Sequence, residues 1–171
     1  VPALEVLAHR TLWSLVFFAV LLGAQRRLAA LRAVFADLRG LGVLAIAALM
    51  IATNWFLFIW AVGQDRTTES ALGYYIFPLV AVLLGRVVFG EALSRAQWVA
   101  VVLAAVGVCV LTLGLGTPPW IALILAGTFG LYGMIKKQVA LDPVVSVTAE
   151  VALFSPVAAV ILLQSWHSGS A

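Results

Sequence analysis

Charged side chains are scarce in this sequence. Only 10% of its 171 residues are Asp, Glu, Lys or Arg, against about 25% in an ordinary soluble domain. That deficit excludes a water-soluble globule. It also excludes a nucleic-acid face, because the basic residues are dispersed between apolar runs rather than clustered. Cysteine is nearly missing. The single Cys109 lies in an apolar run, which rules out an internal disulfide framework and a thiolate metal set and leaves packing as its role. Histidine occurs twice, at His9 and His167, with neither metal-ligand spacing nor a nucleophile and base set around it, so no metal, cofactor or catalytic centre is expected. No nucleotide-binding loop is present, and ATP would have to act through another chain.

What the sequence has in excess is apolar surface. Hydrophobic residues make up 64% of the chain, and a span of the bilayer needs about 20 of them in succession. Such runs predict helices over 3–24, 41–63, 69–89, 96–115, 119–139 and 143–164, an all-α integral membrane protein with about six transmembrane helices. The one long connection, 26–39, spaces Leu28, Leu31, Phe35 and Leu38 on one face with Arg27, Arg32, Asp37 and Arg39 elsewhere, the pattern of a helix lying in the headgroup layer. Trp60, Trp98, Trp120 and Trp166 fall near helix ends, where an interfacial belt places them.

Placing the loops alternately on two sides gives eight basic residues on one (Arg26, Arg27, Arg32, Arg39, Arg86, Arg95, Lys136, Lys137) and two, Arg10 and Arg66, on the other. By the positive-inside rule the first side is cytoplasmic and the first residue faces outward. A shift of 141 lays "PALEVLAHRTLWSLV" over "PVVSVTAEVALFSPV" with six identities in fifteen positions. Because the shift crosses an odd number of helices, the two copies run in opposite directions, as in an inverted repeat. The chain opens on Val1-Pro2 rather than methionine, so the expectation is a piece of a ten-helix, five-plus-five protein. Residues 1–115 would be the remainder of the first repeat and residues 116–171 the start of the second. Such a piece is not expected to transport anything alone.

An ionisable group in a span costs about 2.5 to 3.5 kcal/mol and asks for a reason. Glu5 and His9 share a helical face with Arg10 beside them. They read either as an intrahelical pair or as a proton-handling cluster. Glu150 lies about 10 Å inside the helix begun by Asp142 and Pro143, too deep to snorkel, and takes the place of His9 in the repeat alignment. It must be neutral, paired with a cation, or facing a wet cavity. Asn54 offers a polar group within a span, and Glu69 opens the next. Pro78 and Pro156 should bend their helices. Trp55, Phe58, Tyr74, Tyr75 and Phe77 form an aromatic group suited to packing or to a partly apolar or cationic solute. Small residues at Ala126, Gly127, Gly130 and Gly133, and at Ala100, Ala104 and Gly107, read as close-packing stripes. Lys136 and Lys137 read as cytoplasmic anchors, and Glu91 as a partner for Arg95.

"EVLAHRTLWS" at 5–14, "NWFLFIWAV" at 54–62, "ESALGYYIFPLV" at 69–80 and "YGMIKK" at 132–137 together resemble the RarD-type permeases of the EamA branch of drug/metabolite transporters. The resemblance covers essentially the whole chain. It implies a ten-helix inner-membrane permease, of which this chain carries the second to the seventh helices. Phe77 departs from the asparagine that the resemblance leads one to expect before the proline. The functional expectation is a permease moving a small organic or drug-like solute by alternating access, with proton coupling through Glu150 or the Glu5/His9 face. Its partners would be the lipid bilayer, the solute and, as an open reading, further copies of itself. The alternatives are a membrane-embedded enzyme and a non-transporting partner subunit.

Overall fold

The computed structural model describes residues 2–115 and 119–168. The described residues form seven α-helices and no strand: α1 (Ala3–Ala24), α2 (Leu28–Ala36), α3 (Leu38–Gly63), α4 (Thr67–Phe89), α5 (Arg95–Leu115), α6 (Trp120–Gln138) and α7 (Pro143–Ser168). The break expected between residues 115 and 116, and the last residues of the polar tail, lie outside the described residues. Of the six spans expected, four helices are long and apolar enough to cross a membrane: Ala3–Ala24, Leu38–Gly63, Thr67–Phe89 and Pro143–His167. α5 contributes an apolar stretch over Arg95–Val110 within the residues searched, and the 19-residue α6 ends in Lys136 and Lys137.

Helix ends follow from local chemistry. Asp37 caps α3 by accepting from the Arg39 N–H at 3.1 Å, which starts that helix at Leu38. Asp142 caps α7, accepting from Val144 N at 3.0 Å and Val145 N at 3.4 Å. At the far end of α1, Arg27 N bonds to Leu22 O (3.0 Å) and Arg26 N to Gly23 O (3.0 Å), closing a Schellman motif around Arg26 at φ 56°. The end of α3 repeats it, with Asp65 at φ 58° and Arg66 N bonded to Ala61 O at 2.9 Å. Only at the end of α4 does a glycine, Gly90 at φ 67°, occupy the left-handed position.

α1 lies along α7, and α4 along α6; α3 packs on α6 and reaches α1 and α7, while α5 leans on α4. The α1–α7 pair is antiparallel, with Glu5 against Ser165 and Leu22 against Val145, and the α4–α6 pair is parallel, with Gly73 against Leu125 and Val80 against Gly130. Between apolar helices in lipid the hydrophobic effect gives little drive, so close approach and polar bonds must hold the bundle. Close approach is clearest between α4 and α6. A Cβ on Gly73 would meet Leu125 Cβ at 2.8 Å, and one on Gly130 would meet Val80 Cγ1 at 2.9 Å. The expected stripes are thus only partly used. Ala126 and Gly130 are buried, but Gly127 and Gly133 meet nothing, and on α5 Ala100 and Gly107 are exposed. The α4–α6 seam instead takes one glycine from each helix.

α2 differs from expectation in its packed face. Val34 is buried and, with Leu31, packs against Leu22, Leu44, Val145 and Ala149, while Leu28, Phe35 and Leu38 are exposed. α4 and α7 continue through Pro78 and Pro156. The proline ring at 156 cannot bond to the Ala152 carbonyl one turn back. The Ser155 hydroxyl donates to that carbonyl at 2.8 Å and satisfies it.

Candidate functional site

The two ends of the bundle use different chemistry. At the end that carries α2, ion pairs tie loops together: Arg27 to Asp142 at 2.5 Å and Lys137 to Glu91 at 2.7 Å. Glu91 therefore pairs across to α6 rather than with Arg95, and Lys137 also lies 4.6 Å from the Phe89 ring centroid. Its role as a free anchor is replaced by a bond between elements. The Arg27 hydrogen bond holds the Asp142 carboxyl below its ordinary value of 3.8. At the opposite end Glu69 is bound by both Nε and Nη2 of Arg66, at 2.7 and 2.9 Å, and Arg66 lies 5.3 Å from the Trp120 ring centroid. Glu69 is therefore a structural partner of Arg66. Glu5 accepts a hydrogen bond from Ser165 Oγ on α7 and has no hydrogen bond or ion pair to His9, which is exposed. The α1–α7 contact takes the place of the expected Glu5/His9 pair.

Glu150 is 4% exposed and paired. Lys136 Nζ on α6 lies 2.6 Å from its Oε1, Tyr132 Oη donates to its Oε2 at 3.1 Å, and Ser146 Oγ donates at 3.2 Å. Lys136 also donates to Ser146. Of the three possibilities that depth left open, a cation on another helix is the one realised, and the cavity described below touches the same group. Lys136 is thereby withdrawn from its expected role as an anchor. Tyr132 and Lys136, four apart on α6, and Ser146 and Glu150, four apart on α7, had the right spacing to be found, but no rule says which helices face each other.

Asn54 is 1% exposed. Its Nδ2 donates to Leu125 O at 2.8 Å and Thr128 Oγ1 at 3.1 Å, and its Oδ1 accepts from Tyr74 Oη at 3.3 Å. It pins α3 to α6 and α4, with both amide hydrogens committed. The aromatic group forms a chain of ring contacts: Trp55 to Phe58 (6.1 Å), Phe58 to Tyr74 (5.7 Å), Tyr74 to Phe129 (6.1 Å) and Phe129 to Tyr132 (6.2 Å). Phe77 joins at Phe129 with 4.6 Å between centroids. Phe129 is the linking ring that sequence reading did not single out. Tyr75, at 79% exposure, stands outside the chain.

Both ends of that ring chain reach a cavity of about 310 Å³ between α1, α3, α6 and α7. Arg10, Thr11 and Ser14 line it from α1, Ile51 and Trp55 from α3, Tyr132 from α6, and Glu150 and Phe154 from α7. Its volume is at the lower end of the range for small-molecule pockets. Ser14 and Ile51 fall near the middle of α1 and α3, so the cavity lies at mid-length of these helices. The Arg10 guanidinium carbon lies 3.3 Å from the Trp55 ring centroid, a close cation–π stack. The cavity thus brings together Arg10, Trp55 and Glu150 from the expected set and leaves out Glu5, His9, Asn54, Glu69, Tyr74 and Tyr75. Among the described residues no cluster of three or more His, Cys, Asp or Glu could hold a metal ion.

The chain is similar to proteins of a transporter family. The model of the EamA-like transporter family matches residues 1–113. Protein RarD of Streptomyces exfoliatus is 48% identical over 155 residues, covering 90% of this chain and 49% of that protein. Transporter YojE of Bacillus subtilis is 42% identical over 97% of this chain and 57% of its own length. Protein RarD of Escherichia coli is 41% identical over 95% of this chain and 55% of its own length. The chain therefore spans about half the length of the curated relatives it matches. No solved structure matches it. The chain belongs to the EamA-like transporter family, among its RarD-type members.

Proposed function

We propose that this chain forms part of a secondary transporter that carries a small organic solute across the bacterial inner membrane by alternating access, with the cavity between α1, α3, α6 and α7 as its solute site. The observation that carries the reading is the placement of charge. Two costly groups deep in apolar helices, Arg10 and Glu150, converge on one 310 Å³ cavity, and intramembrane charge on a cavity is the mark of a transport path. The walls come from both proposed repeats: residues 1–115 as the second to fifth helices of a ten-helix protein, and residues 116–171 as the sixth and seventh. The pairing of α1 with α7 supports that division. Glu5 meets Ser165 at one end, Leu22 clusters with Val145 and Ala149 at the other, and midway stand Ser14 and Ser155, which the 141-residue shift superposes. Two antiparallel copies crossing at equivalent residues are what an axis in the membrane plane produces. In this reading the end with α2 is cytoplasmic, as its basic residues require. Glu150 is the coupling group, since a proton on it would release Lys136.

The test is flux through proteoliposomes holding the full gene product, screened with a panel of labelled small solutes. Ser14→Trp, which fills the cavity from α1, is expected to remove saturable flux while the protein stays folded. Glu150→Gln is expected to keep solute exchange but lose its response to an imposed proton gradient. Flux that Ser14→Trp leaves unchanged rejects the cavity as the path, and an unchanged gradient response in Glu150→Gln rejects the coupling role.

A further inference from the structure

Arg10 and Glu150 line the same cavity, but their electrostatic accounts differ. Glu150 already has a cation: Lys136 sits 2.6 Å away, and the hydroxyls of Tyr132 and Ser146 complete its coordination. That end of the cavity is charge-neutral and its acceptor oxygens are occupied. Arg10 has no such partner. None of the ion pairs among the described residues includes it, and the groups that face it, the Trp55 ring and the Tyr74 phenol, carry no counter-charge. Guanidinium stays protonated in proteins and presents a planar fork of N–H donors. Stacking on an indole leaves those edge donors free, because the ring meets the face of the guanidinium and not its rim. Summed over the cavity, one positive charge is uncompensated.

From this we infer that the cavity takes a small organic anion, a carboxylate or an equally planar oxyanion on an apolar or aromatic body. The anion's oxygens are held by the Arg10 fork, and its body lies against Trp55, Ile51 and Phe154. This deepens the transporter reading above and rests on the same cavity. The geometry favours an anion over the alternatives by simple charge balance. An organic cation would face Arg10 directly with no free carboxylate to receive it, since Glu150 is saturated by Lys136. A neutral solute would leave the guanidinium without a counter-charge. A carboxylate satisfies the fork bidentately and neutralises the charge in one step.

The experiment measures binding, not flux, so it can fail without touching the transport reading. The full gene product in detergent micelles is titrated with phenylacetate, phenylacetamide and phenethylammonium, which share a ring and differ in head group, and equilibrium binding is read by calorimetry. Phenylacetate is expected to bind at least about tenfold tighter than either of the others, the usual worth of one hydrogen bond to a charged group. Arg10→Gln is expected to erase the preference for the carboxylate over the amide, and Arg10→Lys to keep a reduced one, because charge remains while the fork is lost. Equal binding of the three head groups, tighter binding of the ammonium, no binding of any of them, or a carboxylate preference that survives Arg10→Gln would each overturn the anion assignment. The wild-type comparison decides the matter even if a variant does not fold. If the anion assignment fails while saturable flux of another solute is lost in Ser14→Trp, the transporter reading stands alone.

Discussion

The two charged ends of the cavity solve the same problem in opposite ways. Glu150 is nearly fully buried and surrounded by a cation and two hydroxyls. Arg10, on the facing helix, is stacked on Trp55 but carries no counter-charge among the described residues. The first arrangement lets a carboxylate sit deep in the bundle and joins α6 to α7. The second leaves a cation whose cost the fold does not offset, and such a residue is retained for what it contacts in use. The contrast sets a charge that the fold balances beside one that it leaves unbalanced, in the same cavity.

The largest effect should come from disturbing the satisfied end. Lys136→Met removes the cation and strands a buried carboxylate, which typically destabilises by about 3 kcal/mol or more. Unfolding in mixed micelles should show that loss. The double change Lys136→Met with Glu150→Leu should recover most of it, because no charge is then left unpaired. Full stability in the single variant would mean that the pair contributes nothing to the fold, and the contrast between the two ends would collapse.

Arg10→Gln should behave in the opposite sense. The change loses a cation–π contact worth about 0.5 to 2 kcal/mol but removes a charge whose presence in a span costs about 2.5 to 3.5 kcal/mol. Stability in the same micelle assay is therefore expected to hold or rise, by about 1 kcal/mol. A residue whose removal stabilises the fold while erasing ligand preference is the signature of a site kept at the expense of stability. A loss as large as that of Lys136→Met would instead make Arg10 a structural residue.

Much of the helical framework was legible in the sequence, because an apolar run of span length has few other ways to fold in lipid. The predicted 3–24 run became Ala3–Ala24, and 69–89 became Thr67–Phe89. Boundaries moved where a side chain intervened. α3 starts at Leu38 rather than 41 because Asp37 caps it, and α7 runs past 164 because Ser165 reaches Glu5. What could not be read was facing. Hydropathy says that Glu150 is deep, but only the approach of α6 to α7 supplies Lys136. It marks Asn54 as polar, but not that Leu125, Thr128 and Tyr74 are its partners. His9 and Tyr75, singled out by type and spacing, do not line the cavity. Periodicity in an almost uniformly apolar helix carries little phase information, so the inward face had to come from the packing.

The smallest effect should come from the loop pair that joins α1 to α7 outside the cavity. Asp142 accepts from Arg27 at 2.5 Å while capping α7, and the Arg27 hydrogen bond is the main reason its carboxyl is held below 3.8. A carboxylate with a depressed value in the folded state adds stability above its unfolded value of about 3.9, and that stability disappears as pH falls through the folded value. Asp142→Asn keeps a good N-cap and removes only the charge. The variant should therefore be slightly less stable than the parent near neutral pH, and the gap should close as the solution is acidified below 3.8. Raising the ionic strength should shrink the gap as well, because both partners are exposed and screened. A gap that persists in acid would place the effect in the cap rather than the ion pair. A gap as large as that of Lys136→Met would show that the loop pair, and not the Glu150 cluster, holds α7 in the bundle.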